Sequence, residues 1–202
     1  MAYDPLRHHR RSIRLRGYDY AEPGEYFVTI CTNNRKCVLG EIEDGGMRLS
    51  HVGQIAEQCW HDIPEHFENV GLGDYVIMPN HLHVIILLRG ISRRDEVTSS
   101  LQIMSSSLRV SSSPWNDSEI EPKQPIIKCL PTLGRVIAYY KYQSTKLINA
   151  MRATPGTRFW QRSYYEHIIR DGNDYARIQK YIAENVANWS DDNENSEAFC
   201  QR

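Results

Sequence analysis

The sequence predicts an α+β fold: a ferredoxin-like, mostly antiparallel sheet with helices packed on it. Three observations predict it. The elements run in the order strands, helix, two strands, helix, extended segment, helix, which suits a split βαβ arrangement. The strand segments are short and rich in β-branched and aromatic residues. Each long helix carries a single apolar stripe, so it must pack on something rather than be buried all round. With 202 residues, 23.5 kDa and 41% hydrophobic residues, one domain with a real core is expected.

Each element has a local cause. Residues 1–24 form a basic arm, which ends at Pro23-Gly24. Tyr26 to Thr32 (YFVTICT) reads as a strand. Asp44-Gly45-Gly46 signals a hairpin turn within residues 40–50. Val52, Ile55, Ala56, Cys59, Trp60 and Ile63 keep helical spacing behind Ser50 as N-cap, with Pro64 near the helix end. Two strands follow, Val70 to Met78 and His81 to Leu88, with Pro79-Asn80 as the turn. From Ser92 to Ser118 there are ten serines and little periodicity, so about 90–128 is expected to be a flexible insertion. Pro131-Thr132 opens a second long helix, with Leu133, Val136, Ile137, Tyr140, Leu147, Ile148 and Met151 on one face. Phe159 to Arg170 reads as extended. A last helix is expected from about Asp174, as its cap, to Trp189, and the tail 190–202 is acidic. One domain then spans 25–189.

Composition excludes several classes. The longest apolar run, Val84 to Leu88, is too short to span a membrane. The arginine-rich start has no apolar stretch behind it, unlike a secretory signal. Five cysteines without a C-x-x-C argue against a disulfide framework or a cysteine zinc site, so a cytoplasmic protein with reduced thiols is expected. The net charge of -1 hides segregation. Residues 131–182 hold nine Lys/Arg against three acids, whereas residues 40–75 hold eight acids against Arg48. A basic surface on a nearly neutral chain suits a polyanionic partner.

Three features carry chemistry. In Pro79-Asn80-His81-Leu82-His83-Val84, strand alternation sends His81 and His83 to one face and Leu82, Val84 and Ile86 to the other. Two adjacent imidazoles on a rigid strand make half a metal site, although an isolated H-x-H is more often a pair of ordinary histidines bonded to backbone. On the last helix, Tyr181 and Asn185 lie four residues apart on one face, a phenol beside an amide oxygen. In the arm, Arg10, Arg11, Arg14 and Arg16 precede Tyr18, a pattern of phosphate-pairing and stacking groups.

Several blocks together resemble the single-tyrosine HUH transposases, specifically the REP-associated tyrosine transposase (RAYT) family. They are RRSIRLRGYDY, YFVTICT, DYVIMPNHLHVIILL, Pro131-Thr132-Leu133-Gly134 at a helix start, and WQRSYYEHIIR before the helix of Tyr181. The resemblance implies an HUH nuclease fold that cleaves and rejoins single-stranded DNA through a 5′-phosphotyrosine, on hairpin-forming palindromic repeats. It implies His81, His83 and Asn185 as ligands of Mg²⁺ or Mn²⁺ and Tyr181 as nucleophile. Two departures are visible: Val186 follows Asn185 where proline is common, and the serine-rich insertion is long. Lys141, Lys146, Gln161, Arg162, Arg177 and Lys180 are expected to meet the DNA alongside the arm. Tyr164, Tyr165 and Tyr175 are rival nucleophiles, Tyr165 foremost. The competing readings are a non-catalytic nucleic-acid-binding descendant of a transposase and a phosphohydrolase that uses water. The expected assembly is a monomer or homodimer, with no membrane partner.

Overall fold

The computed structural model describes residues 18–20, 22–90, 131–192 and 195. Among them run β1 (Gly24–Cys31), β2 (Gly40–Glu43), β3 (Gly46–Leu49), α1 (His51–His61), α2 (Ile63–His66), β4 (Val70–Ile77), β5 (His81–Leu88), α3 (Leu133–Met151), β6 (Tyr165–Ile169) and α4 (Gly172–Glu184). Short 3₁₀ turns cover Asn33–Arg35 and Trp189–Asp191. The four-stranded sheet has the order β4-β5-β1-β6, and every pair in it is antiparallel. With the separate β2–β3 hairpin set aside, the chain runs β1, α1, β4, β5, α3, β6. That is the split βαβ order predicted from the sequence.

Register decides what each face of the sheet does. Thr29 lies opposite His83, Cys31 opposite His81, and Phe27 opposite Ile85. Residues directly across an antiparallel pair share a face. The intervening Tyr26, Val28, Ile30, Leu82, Val84 and Ile86 therefore face the other way, into a core with Val52, Ala56 and Trp60 of α1 and Leu133, Val136, Ile137 and Tyr140 of α3. On the first face, Phe27, Ile85 and Ile169 pack against Ile178 and Ile182 of α4. The sheet is sandwiched, with α1 and α3 on one side and α4 on the other. Among the described residues, no helix is long and apolar enough to cross a membrane.

The local signals explain most element ends. The Ser50 side chain accepts from Gly53 N, as its expected role of cap requires, and Thr132, at the expected helix start, accepts from Arg135 N. Asp44 and Gly45 turn the hairpin with φ of 51° and 75°. Gly53 lets the start of α1 lie against the preceding loop: a Cβ there would fall 2.0 Å from Leu39 O.

Three expectations need correction. The cap of the last helix is Asp171, not Asp174: its carboxylate accepts from both Asn173 N and Asp174 N, two donors that a first helical turn leaves unpaired. Asp174 instead turns its carboxylate to His167 Nε2 (2.7 Å) and Arg177 Nη2 (2.5 Å). The same helix stops at Glu184, not Trp189, and Trp189 swings over so that its ring centroid is 6.0 Å from that of His81. On α3, Leu147 and Met151 are exposed, because the stripe that meets the core runs through Tyr140, Ser144 and Ile148. The extended segment resolves into an isolated bridge, Thr32 to Trp160, and then β6. Most of the basic arm, including all five of its arginines, most of the acidic tail, and the serine-rich insertion from residue 91 on lie outside the described residues.

Candidate active site

His81 and His83 open β5 and are both buried. Their Nε2 atoms are 2.9 Å apart. Their outward nitrogens are each held: His81 Nδ1 is 2.8 Å from Asn80 Oδ1, and His83 Nδ1 is 2.8 Å from Thr29 Oγ1. Asn80 Nδ2 donates to Arg35 O at 3.2 Å, which fixes the amide so that Oδ1 faces the imidazole. An amide oxygen only accepts, so His81 Nδ1 carries the proton and Nε2 presents a lone pair. The Thr29 hydroxyl can accept or donate, so it suits both the Nε2–H tautomer with which His83 donates to His81 Nε2 and the Nδ1–H tautomer that would leave both Nε2 atoms open to a cation.

Burial pushes both imidazoles well below the ordinary histidine value. For His81, repulsion from Arg35 adds to burial; for His83, repulsion from His81 adds and Asp192 opposes. Both are therefore neutral at physiological pH, the state in which imidazole binds metal.

The nucleophile candidate reaches the same point from α4. Tyr181 Oη is 3.2 Å from His83 Nε2, and the two ring centroids are 5.1 Å apart. Phe27 of β1 stacks on His83 at 5.3 Å and meets Tyr181 edge-on at 6.0 Å, so one buried ring holds both. Tyr181 keeps 45% of its surface exposed, so a substrate can approach it.

The donor set fits a divalent cation. Two ligands at right angles on an octahedral ion bound at about 2.1 Å are about 3 Å apart, close to the separation of the two Nε2 atoms. Asp192 Oδ2 lies 3.8 Å from His81 Nε2, and ligand atoms of His81, His83 and Asp192 all fall within 4.8 Å of one another. The expected third ligand, Asn185, is buried at the C-cap of α4. Its Oδ1 has no hydrogen-bond partner among the described residues, and such an orphaned buried acceptor calls for a donor or a cation. Both oxygens are candidates for the third position.

Sequence reasoning missed Thr29, Phe27, Asn80 and Asp192. The first two were legible in principle, since alternation from Cys31 back along YFVTIC puts them on the histidine face. Asp192 was not: it arrives through an irregular turn in a segment expected to be tail.

The other expected residues scatter. Lys141 Nζ donates to Gln161 O (2.9 Å) and Ser163 O (3.0 Å), tying α3 to the segment before β6. Burial lowers its pKa to about 8. Tyr18 packs in a cluster with Tyr20 and Tyr26. Arg177 and Lys180 sit on the exposed side of α4, paired with Asp174 and Glu184. Lys146 and Arg162 line a cavity beside α3, with Gln161. Arg10, Arg11, Arg14 and Arg16 lie outside the described residues. Among the rival nucleophiles, Tyr175 donates to Asp74 (3.1 Å), Tyr164 lies under Lys141, and Tyr165 is exposed at the edge of Phe27.

The antiparallel four-stranded sheet and its helices match the fold of a solved transposase. A solved REP-associated tyrosine transposase bound to a REP hairpin has a TM-score of 0.50 and 18% identity to this chain, covering 89% of this chain and 74% of that one. A solved protein from Deinococcus radiodurans has a TM-score of 0.39 at 15% identity, over 86% of this chain and 97% of the other. No family model matches the chain. The chain belongs to the same family as an uncharacterized protein of Haemophilus influenzae, to which it is 36% identical over 186 residues, 92% of each chain.

Proposed function

We propose that this protein is a single-tyrosine strand transferase that cleaves and rejoins single-stranded DNA. The observation that carries this reading is the Tyr181 phenol 3.2 Å from the Nε2 of a paired, neutral histidine. His81 and His83, with Asn185 or Asp192 as third ligand, would hold Mg²⁺ or Mn²⁺. Such a cation, when bound, polarises a non-bridging oxygen of the scissile phosphate.

Tyr181 attacks the phosphorus in line. An Oη–P bond forms, the bond from phosphorus to the 3′ oxygen breaks, and the phenol proton is balanced by the one taken up at the released 3′-hydroxyl. The product is a 5′-phosphotyrosine that keeps the phosphodiester energy, so a 3′-hydroxyl can reverse the step without ATP. Phe27 restricts the phenol, and Asn80 and Thr29 hold the imidazoles, so little reorganisation precedes attack. The substrate class is hairpin-forming repeat DNA, by analogy with the solved transposase bound to a REP hairpin.

A denaturing gel of the chain with a labelled single-stranded hairpin oligonucleotide tests this. The wild type should give a covalent adduct in Mg²⁺ or Mn²⁺, and Tyr181→Phe should give none while still retarding the oligonucleotide on a native gel. An adduct that persists in Tyr181→Phe moves the nucleophile elsewhere. Turnover without any adduct favours water as nucleophile, and binding without cleavage favours the non-catalytic reading.

A further inference from the structure

Beside α3 lies a cavity of about 430 Å³ that the proposed reaction does not use. Its lining includes Lys141, Tyr142, Lys146, Arg158, Gln161 and Arg162, and no acid lines it. Lys146, Arg158 and Arg162 are exposed and make no ion pair among the described residues. Tyr142, 64% exposed, offers a ring face to solvent. Unpaired cations around an exposed aromatic ring attract a chain of phosphates that carries unstacked bases.

The cavity is not isolated. Gln161 also lines a smaller one of about 170 Å³, with Thr29, Arg35, Ser163 and Tyr165. Thr29 is the residue that holds His83. Arg35, whose carbonyl takes the Asn80 amide and whose charge is felt at His81, lines the same smaller recess. A trail of recesses therefore runs from the histidine pair, past Arg35 and Gln161, to the basic cavity.

We infer that this trail is the path of single-stranded DNA flanking the reacting phosphate, with Lys146, Arg158 and Arg162 on its phosphates and a base stacked on Tyr142. This rests on the reading of the site as single-strand chemistry and adds where the strand runs. Duplex DNA is the poorer occupant, since its bases offer no free face to Tyr142.

The test is fluorescence anisotropy of the full chain with a labelled oligothymidylate of about 12 nucleotides. Lys146→Ala/Arg158→Ala/Arg162→Ala should weaken binding more than tenfold. It should also lower the slope of log affinity against log salt by about two, as expected for three lost phosphate contacts to a single strand. Tyr142→Ala should weaken binding about fivefold or more with little change in slope. All four residues are exposed, so melting temperatures near the wild-type value should accompany these losses. Should the triple variant match the wild type in affinity and slope, or the wild type prefer duplex of equal length, the path is wrong. The adduct gel separates this from the proposed reaction. Loss of affinity in the triple variant without any wild-type adduct leaves the path standing and removes the strand transfer. An adduct with unaltered binding does the reverse.

Discussion

Lowering the pH of the chain in chelator from about 7.5 to about 5.5 should cost it about 3 kcal/mol of stability through His81 and His83 alone. Burial, the main cause, brings both imidazoles from 6.5 down to about 3. The folded chain therefore keeps them neutral over a range in which the unfolded chain takes up protons. Their contribution is complete above the unfolded value of 6.5 and is lost as pH falls from there toward 3. One unit below 6.5, each site has lost about 1.4 kcal/mol, and two sites give the figure above. For a chain of this length that is a fall of roughly 6–12 °C in melting temperature. Scanning calorimetry of the wild type and of His81→Asn/His83→Asn over this range isolates the pair, because other titrating groups contribute to both proteins. The wild-type curve should be the steeper. Parallel curves would mean that the two imidazoles are not buried as a neutral pair, and the metal-ligand argument would lose its basis.

The remaining expectations are more local. Mn²⁺ at about 100 times its dissociation constant should stabilise the wild type by about 2.7 kcal/mol and leave His83→Ala unmoved. Whichever of Asn185→Ala and Asp192→Ala loses more of that shift identifies the third ligand, read in the same melts. Asp171→Ala should cost about 1 kcal/mol in urea unfolding, through two unpaired donors at the start of the helix that carries Tyr181. An unchanged midpoint would remove the cap. Gly53→Ala should destabilise by about 1–3 kcal/mol, since its methyl would meet the Leu39 carbonyl, and a neutral effect would show that the loop yields.

The fold was legible because its cause is periodic. Alternation along HLHVIILL alone assigns His81 and His83 to one face and Leu82, Val84 and Ile86 to the core, and the register bears this out. The helical stripe of Ile178 and Ile182 likewise sets the face that α4 turns to the sheet, and so where Tyr181 stands. What was not legible depends on irregular backbone. Asp192 reaches the histidines through a 3₁₀ turn that no repeat announces. The bonds from Lys141 to two backbone carbonyls, which tie α3 to the segment before β6, leave no trace in residue identity. Asp171 and Asp174 lie three residues apart and both have the chemistry of a cap, and only their side-chain partners separate them.

β5 begins at His81 and ends at Leu88, seven residues and about 23 Å further on. The chain leaves the sheet there and rejoins it at α3, whose first amide, Leu133 N, donates to Tyr20 O beside the start of β1. Leu88 and Leu133 thus both lie at the end of the sheet remote from the imidazoles. A fluorophore attached through Arg89→Cys, an exposed position one residue past Leu88, should therefore report from the far end of β5 without touching the histidine pair.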